Sequence, residues 1–410
     1  MTSYTYRSVG AIILLLAAAL AALSGFGGAD RTVARAAPAP CAAVARLTGS
    51  GRDAGPALQD CLDATPANGT IALPSGRYEI ATPVRLRHPV TLTTRGVSPM
   101  APPCSADERR CAVLHLAIKT SAITGAIMPI EIASNAVRLD HLVFQGTRLS
   151  DPALSAKRCA SDKERAMAGG LLVNGNTVTI TRSVFRDMAC YTALEYGTGV
   201  EGVIKDNAFT GNGTHDALLR WADGLTIHTA QRFQVSGNRF RDNTDVQLIF
   251  GSCVGCTITG NHFDHSGSAE GGAFAEIMLQ AWPKATSGDF TGTQVTRNTI
   301  NCGAQRRCGF GIMIGSAPWY EASTFGGEVT DNRVRGAMLA LNVDYLTGPM
   351  VIARNDLETV SGTYPSMCGP QRISGASANF SPRSRTVLPP IATDTTTTAK
   401  HYCILNYAIR

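Results

Sequence analysis

Charge is scarce in this 410-residue chain, at 17% Asp, Glu, Lys and Arg, and aromatic residues are scarcer, at 6% with three Trp. Long, charge-studded helices do not fit that balance; 41 Gly fit many short strands and turns. No block of Lys and Arg interleaves with aromatics, and the formal charge of +6 is a mild excess, so no nucleic-acid partner is expected. The apolar run at 11–23 is short of the roughly 20 residues that a membrane span needs. With Arg7 before it and Ala34-Arg35-Ala36 as a small-x-small site after it, residues 1–36 read as a secretory signal. The mature chain, 37–410, is then expected to be secreted or periplasmic, with no membrane partner after cleavage. Loss of Arg7, Arg31, Arg35 and Asp30 lowers the net charge by two.

A second C-x-x-C is also lacking. Cys253 and Cys256 stand alone, and a zinc site needs four ligands, so no metal is expected there; a tight disulfide, or two Cys stacked separately, is expected instead. All twelve Cys lie beyond residue 36, and export makes disulfides the default. Sequence neighbours suggest Cys41–Cys61, Cys104–Cys111, Cys159–Cys190, Cys302–Cys308 and Cys368–Cys403.

What the chain does contain is a repeat. Its segments are L-D-H-L-V-F from Leu139, I-T-R-S-V-F from Ile180, I-K-D-N-A-F from Ile204, V-S-G-N-R-F from Val235, I-T-G-N-H-F from Ile258, V-T-R-N-T-I from Val295, V-T-D-N-R-V from Val329 and I-A-R-N-D-L from Ile352. Their fourth positions are Leu142, Ser183, Asn207, Asn238, Asn261, Asn298, Asn332 and Asn355, spaced 41, 24, 31, 23, 37, 34 and 23. A base period near 23 with loop insertions is the signature of a stacked coil. The fold expected is an all-β, single-stranded right-handed parallel β-helix with an N-terminal capping helix. Asn suits the turn, where it supplies a positive φ or an extra side-chain hydrogen bond, and stacked amides can bond along the coil. The apolar residue two places later points inward. A second apolar strand in each repeat, such as G-L-T-I from Gly224 and E-I-M-L from Glu276, buries Leu225 and Ile227, and likewise Ile277 and Leu279.

The capping helix is expected over 53–64, where Leu58, Cys61 and Leu62 share one face. It covers the open apolar end of the coil. The expected parts are a cap and first turns at 37–97, repeats at 98–360, and a C-terminal loop and cap at 361–410, with a long Ser/Thr/Pro-rich loop over 374–398.

Carboxylates cluster near the outward face of the second strand: Glu195, Asp223, Asp245 and Glu276, on four consecutive repeats. Arg220, Trp221, His228, Arg241, Gln247 and Gln280 lie near them, and insertions after Asn207 and Asn261 would wall the site. Such a cleft suits a polysaccharide, which needs polar contacts and an aromatic platform. Register decides the pairing. If Asp245 lies one turn beyond Asp223, the two stack about 5 Å apart. If the period is 23, Asp223 meets Val246 and Asp245 pairs better with Glu276. Glycoside hydrolysis needs one protonated and one ionised carboxylate, which makes Asp223, Asp245 and Glu276 the acid/base candidates. The bland alternative is that these carboxylates cap turns or bind Ca²⁺. Elimination or epimerisation on a uronate polymer would instead use Arg220, Arg241, His228, His262 or His265 to neutralise the carboxylate and take a proton. A third reading is a binding coil without catalysis.

The capping helix followed by G-T-I-A-L-P-S-G-R-Y (69–78) resembles the start of the pectate-lyase/polygalacturonase superfamily of β-helix proteins. Trp221-Ala222-Asp223-Gly224 resembles the Asn-Thr-Asp-Gly motif of polygalacturonase-like glycosidases, and Thr244-Asp245 their Asp-Asp motif with its first Asp replaced. Gly309 to Ser316 has the outline of their Gly-His-Gly motif, with Phe310 at the His position. No Gly-His-Gly, R-x-P-x-x-R or convincing Arg-x-Lys occurs. The resemblance implies a polysaccharide-cleaving β-helix whose catalytic set departs from ordinary pectin hydrolysis.

Overall fold

A computed structural model describes residues 39–119, 126–214, 220–268, 271–303, 308–315, 322–343, 346–359, 362–364, 371–373 and 378–380. These all belong to the unit Ala37–Arg410. The signal segment and the Cys368–Cys403 pairing lie outside the described residues.

Each hexapeptide of the repeat turns a corner between two sheets. Val235 and Ser236 complete the strand Gln234–Ser236 on the first sheet, Gly237-Asn238 makes the corner, and Arg239–Arg241 begins on the second. A third strand follows, and the path repeats. The result is three long parallel sheets, two of ten strands and one with ten along its main path, in which each strand pairs with its counterpart one turn away. This is the parallel β-helix. The repeat spacings are turn lengths: Ile204 pairs with Val235, Val235 with Ile258, and Ile258 with Val295.

The corner explains the Asn. Positive φ falls on the residue before it in every repeat: His141 (51°), Arg182 (50°), Asp206 (57°), Gly237 (64°), Gly260 (64°), Arg297 (55°), Asp331 (56°) and Arg354 (53°). The Asn itself supplies only the side-chain bonds. Asn238 Oδ1 accepts from the main-chain N–H of Asn207 at 3.0 Å and from its Nδ2 at 3.1 Å. The same double contact links Asn238 to Asn261, Asn261 to Asn298, Asn298 to Asn332 and Asn332 to Asn355. Ser183 heads the ladder: its N–H donates to Asn207 Oδ1 and its Oγ accepts from Leu142 N–H. Without these amides, each corner would bury an unpaired main-chain N–H. Two places beyond, Phe144, Phe185, Phe209, Phe240 and Phe263 stack in the core with centroids 4.8–4.9 Å apart. That is the spacing of neighbouring strands, so one ring per turn tiles the interior.

The capping helix α2 spans Gly55–Ala64 and buries Leu58, Cys61 and Leu62 in the same core as Ile71, Leu73 and Tyr78. A further helix, α1 (Ala39–Ala45), is fastened to it by Cys41–Cys61. Asp53 ties the cap to the first turn: Oδ1 accepts from Gly55 and Ala81 N–H, and Oδ2 from Thr82 Oγ1. Disulfides also join Cys104–Cys111, Cys159–Cys190, Cys253–Cys256 and Cys302–Cys308, leaving no free Cys among the described residues. Inside the stretch read as a long loop, Ala378–Phe380 adds a rung to the third sheet beside Leu339–Val343. Among the described residues, no helix is long and apolar enough to cross a membrane.

Candidate active site

The third sheet carries the carboxylates. Its strand Ala222–Gln231 runs between Tyr191–Val200 and Val246–Phe250, with Leu225 in register with Leu194 and Leu248. The local period is therefore 23, which places Asp223 level with Val246 and Asp245 diagonally beside it. Val246 N–H donates to Asp223 Oδ1 at 3.0 Å, so the Asp223 carboxylate reaches onto the next turn, next to Asp245. Gly224 permits this approach, since a Cβ there would lie 2.5 Å from the Gln247 carbonyl oxygen. Thr226 Oγ1 donates to Asp223 Oδ2 at 2.9 Å and lies 3.2 Å from Thr192 Oγ1.

The pair holds protons tightly. Burial, then the charge of Asp245, raises Asp223 well above the ordinary carboxylate range, against the bonds from Thr226 and Val246. Burial pushes Asp245 up to about 6, and Arg165 pulls the other way. Two carboxyls this close cannot both ionise freely, so one retains a proton near neutrality. Asp245 also holds a left-handed backbone at φ 69°, as does Tyr191 at φ 79°. A left-handed bulky residue such as Tyr191 costs on the order of 1–3 kcal/mol unless its surroundings fix it. Tyr191 is fixed by a hydrogen bond to Glu195, and burial together with Glu195 keeps its phenol protonated.

Glu195 is buried and pairs with His228 Nε2 at 2.8 Å. His228 stacks on Trp282, ring centroids 4.9 Å apart. Gly251 makes room for that indole, because a Cβ there would lie 2.3 Å from Trp282 Cζ3. At the other end of the strand, the Arg165 guanidinium lies 4.7 Å over the Trp221 ring. Arg165 is fed in by the insertion at 146–170, through the helix α3 (Pro152–Cys159) and the turn Arg165–Ala168. Its Nε is buried and makes no hydrogen bond among the described residues. The outward face thus offers two indoles flanking Asp223, Asp245 and Glu195, with the Arg165 guanidinium at its edge.

Other candidates fall elsewhere. Glu276 is fully buried, level with Gln247 rather than paired with Asp245, and holds His265 Nε2 at 2.9 Å. Burial alone would lower His265, but Glu276 and Asp242 raise it to about 10, so this is a buried imidazolium–carboxylate pair. Cys308 lies within ligand reach of both, but its sulfur is bound to Cys302. Gln247 is buried, its Oε1 accepting from Asn243 N–H at 3.1 Å. That bond ends a second ladder, Asn212 to Asn243. Arg241 lies on the second sheet, 3.3 Å from Asp264, away from the carboxylates. Gln280 is buried past its strand end, and Arg220 is half-exposed beside Trp221. Thr244, at the replaced Asp position, is buried and accepts from Ala222 N–H. Phe310 follows Ala275 and Val246 on the row that begins at Asp223, and packs edge-on against Phe274. The row is therefore apolar where the resembled family carries His. Arg165, Tyr191 and Trp282 were not among the sequence candidates; their only signal is placement inside long insertions or at a strand start.

Residues 169–347 match the family model described as the right handed beta helix region. The chain is a right-handed parallel β-helix protein. Similar solved structures include an alginate lyase from Paenibacillus sp. str. FPU-7, 13% identical, covering 74% of this chain and 92% of the lyase at a TM-score of 0.47. They also include a DFA-IIIase from Arthrobacter chlorophenolicus A6 (12%; 82% and 90%; 0.46) and the A-module of the mannuronan C-5 epimerase AlgE6 from Azotobacter vinelandii (14%; 80% and 83%; 0.44). No curated protein matches the chain.

Proposed function

We propose that the protein is a secreted glycoside hydrolase acting on an extracellular polysaccharide, with Asp223 as general acid and Asp245 as general base. The observation that carries this reading is the buried carboxyl pair: Asp223, bonded by Val246 N–H and so drawn beside Asp245, is raised well above the carboxylate range, and Asp245 to about 6. Divergent proton affinities in neighbouring carboxyls are what acid/base division of labour requires. Asp223 donates its proton to the leaving glycosidic oxygen, and Asp245, once ionised, takes one from water. Trp221 and the Trp282–His228 stack offer faces for sugar rings on either side. Activity is expected to rise with pH through about 6 as Asp245 ionises, and to fall at higher pH as Asp223 loses its proton.

Arg165 supports a second reading, elimination or epimerisation on a uronate polymer. Its unbonded Nε beside the carboxylates could neutralise a substrate carboxylate, as that chemistry needs. Product analysis separates the two. Hydrolysis gives new reducing ends without ultraviolet absorbance, whereas elimination gives an absorbing unsaturated end for each bond cut. An unsaturated product would remove hydrolysis from this site, and absence of turnover on every glycan tested would leave only binding.

A further inference from the structure

A second constellation lies on another face of the coil. Glu79 and His115 face outward from adjacent strands of the second sheet, Gly76–Ile80 and Ala112–Leu116, at paired positions. His115 Nδ1 is 2.5 Å from Glu79 Oε2, and its Nε2 is 2.7 Å from the hydroxyl of Ser150. Ser150 is exposed, on the segment leading into α3, while the imidazole is buried. Arg77 bonds the other Glu79 oxygen through Nε at 2.5 Å. We propose that Ser150, His115 and Glu79 form a second active site, a serine hydrolase triad for short-chain acyl esters.

The order of contacts is that of nucleophile, base and orienting carboxylate. Arg77 Nη2 also lies 2.8 Å from Nδ1, but the Glu79 contact is the closer and an ionised carboxylate can only accept. In the tautomer that the proposal uses, Nδ1 carries the proton toward Glu79 and Nε2 turns its lone pair to Ser150. The protonation states agree. Burial, aided by Arg77 and Arg186, holds His115 below the ordinary imidazole range despite Glu79, so it is a neutral base at pH 7. Burial would raise Glu79, but bonds from Arg77 and His115 outweigh it and keep it ionised.

In the reaction, Ser150 Oγ attacks the ester carbonyl as its proton passes to His115 Nε2. The carbonyl–alkoxy bond breaks, and the departing alkoxide takes that proton, leaving an acyl-serine. Water then adds to the acyl carbon, giving its proton to His115. The carboxylic acid leaves and Ser150 recovers its hydrogen. Ser150 is exposed, which suits an ester projecting from a larger molecule.

The test uses the full mature protein and an alkyl fluorophosphonate, which forms an Oγ–P bond and releases fluoride. Intact-mass and peptide mapping should place one adduct on Ser150. Hydrolysis of p-nitrophenyl acetate should fall by ~10²-fold or more in Ser150→Ala, an exposed change that leaves the fold in place. No adduct on Ser150, or ester hydrolysis unchanged in Ser150→Ala, would overturn the proposal.

Discussion

Replacing Asn261 by Ala removes one rung from the middle of the amide ladder. Asn261 is fully buried. Its Oδ1 accepts the N–H and Nδ2 of Asn238, both at 3.0 Å, and its Nδ2 donates to Val235 O at 3.0 Å and Asn298 Oδ1 at 2.9 Å. Alanine leaves the Asn238 main-chain N–H with no acceptor and weakens three further groups, none of which water can reach. An orphaned buried polar group costs ~1–3 kcal/mol, so the total should be about 3–5 kcal/mol. Thermal melting should fall by roughly 4–6 °C. Asn355→Ala, at the half-exposed end of the same ladder, should cost clearly less, because water can replace its bonds to Asn332. Melting curves of both variants, with turnover normalised to folded protein, test this. A fully stable but inactive Asn261→Ala protein would show that the residue belongs to a site and not to the frame.

Glu276→Gln removes one of the two carboxylates that hold the buried His265 charge, leaving Asp242, and should cost about 1–3 kcal/mol with turnover per folded molecule unchanged. A stable, inactive variant would return Glu276 to the catalytic set. Asp245→Asn should change how stability depends on pH. The folded carboxyl is raised from 3.8 to about 6, so its contribution is full below about pH 4 and is lost as pH rises through 6. The variant should therefore melt above the wild type at pH 7 and lose that advantage near pH 4; parallel curves would contradict the raised value.

The ladder and the core were legible in the sequence because they are local. One Asn and one Phe, two residues apart, recur wherever the coil turns that corner. What spacing could not show was which residue takes the positive φ, since His141, Arg182 and Arg297 carry no hint of it. The register at the carboxylates was legible only as two alternatives, because Gly224 and the chain around Gln247 break simple alternation. Glu276 looked outward by alternation; instead it is buried in the middle of its strand, against His265. Arg165 and Ser150 come from the insertion at 146–170, where no period fixes a position. The contact of Ser150 with His115 spans 35 residues of unrelated sequence.

The most direct measurement is depolymerisation by Asp223→Asn against wild type, on whichever polysaccharide the wild type shortens, with melting temperature recorded alongside. Asp223 as general acid requires turnover to fall by roughly 10²- to 10⁴-fold while the fold persists. Turnover at the wild-type rate in a folded Asp223→Asn protein would contradict it.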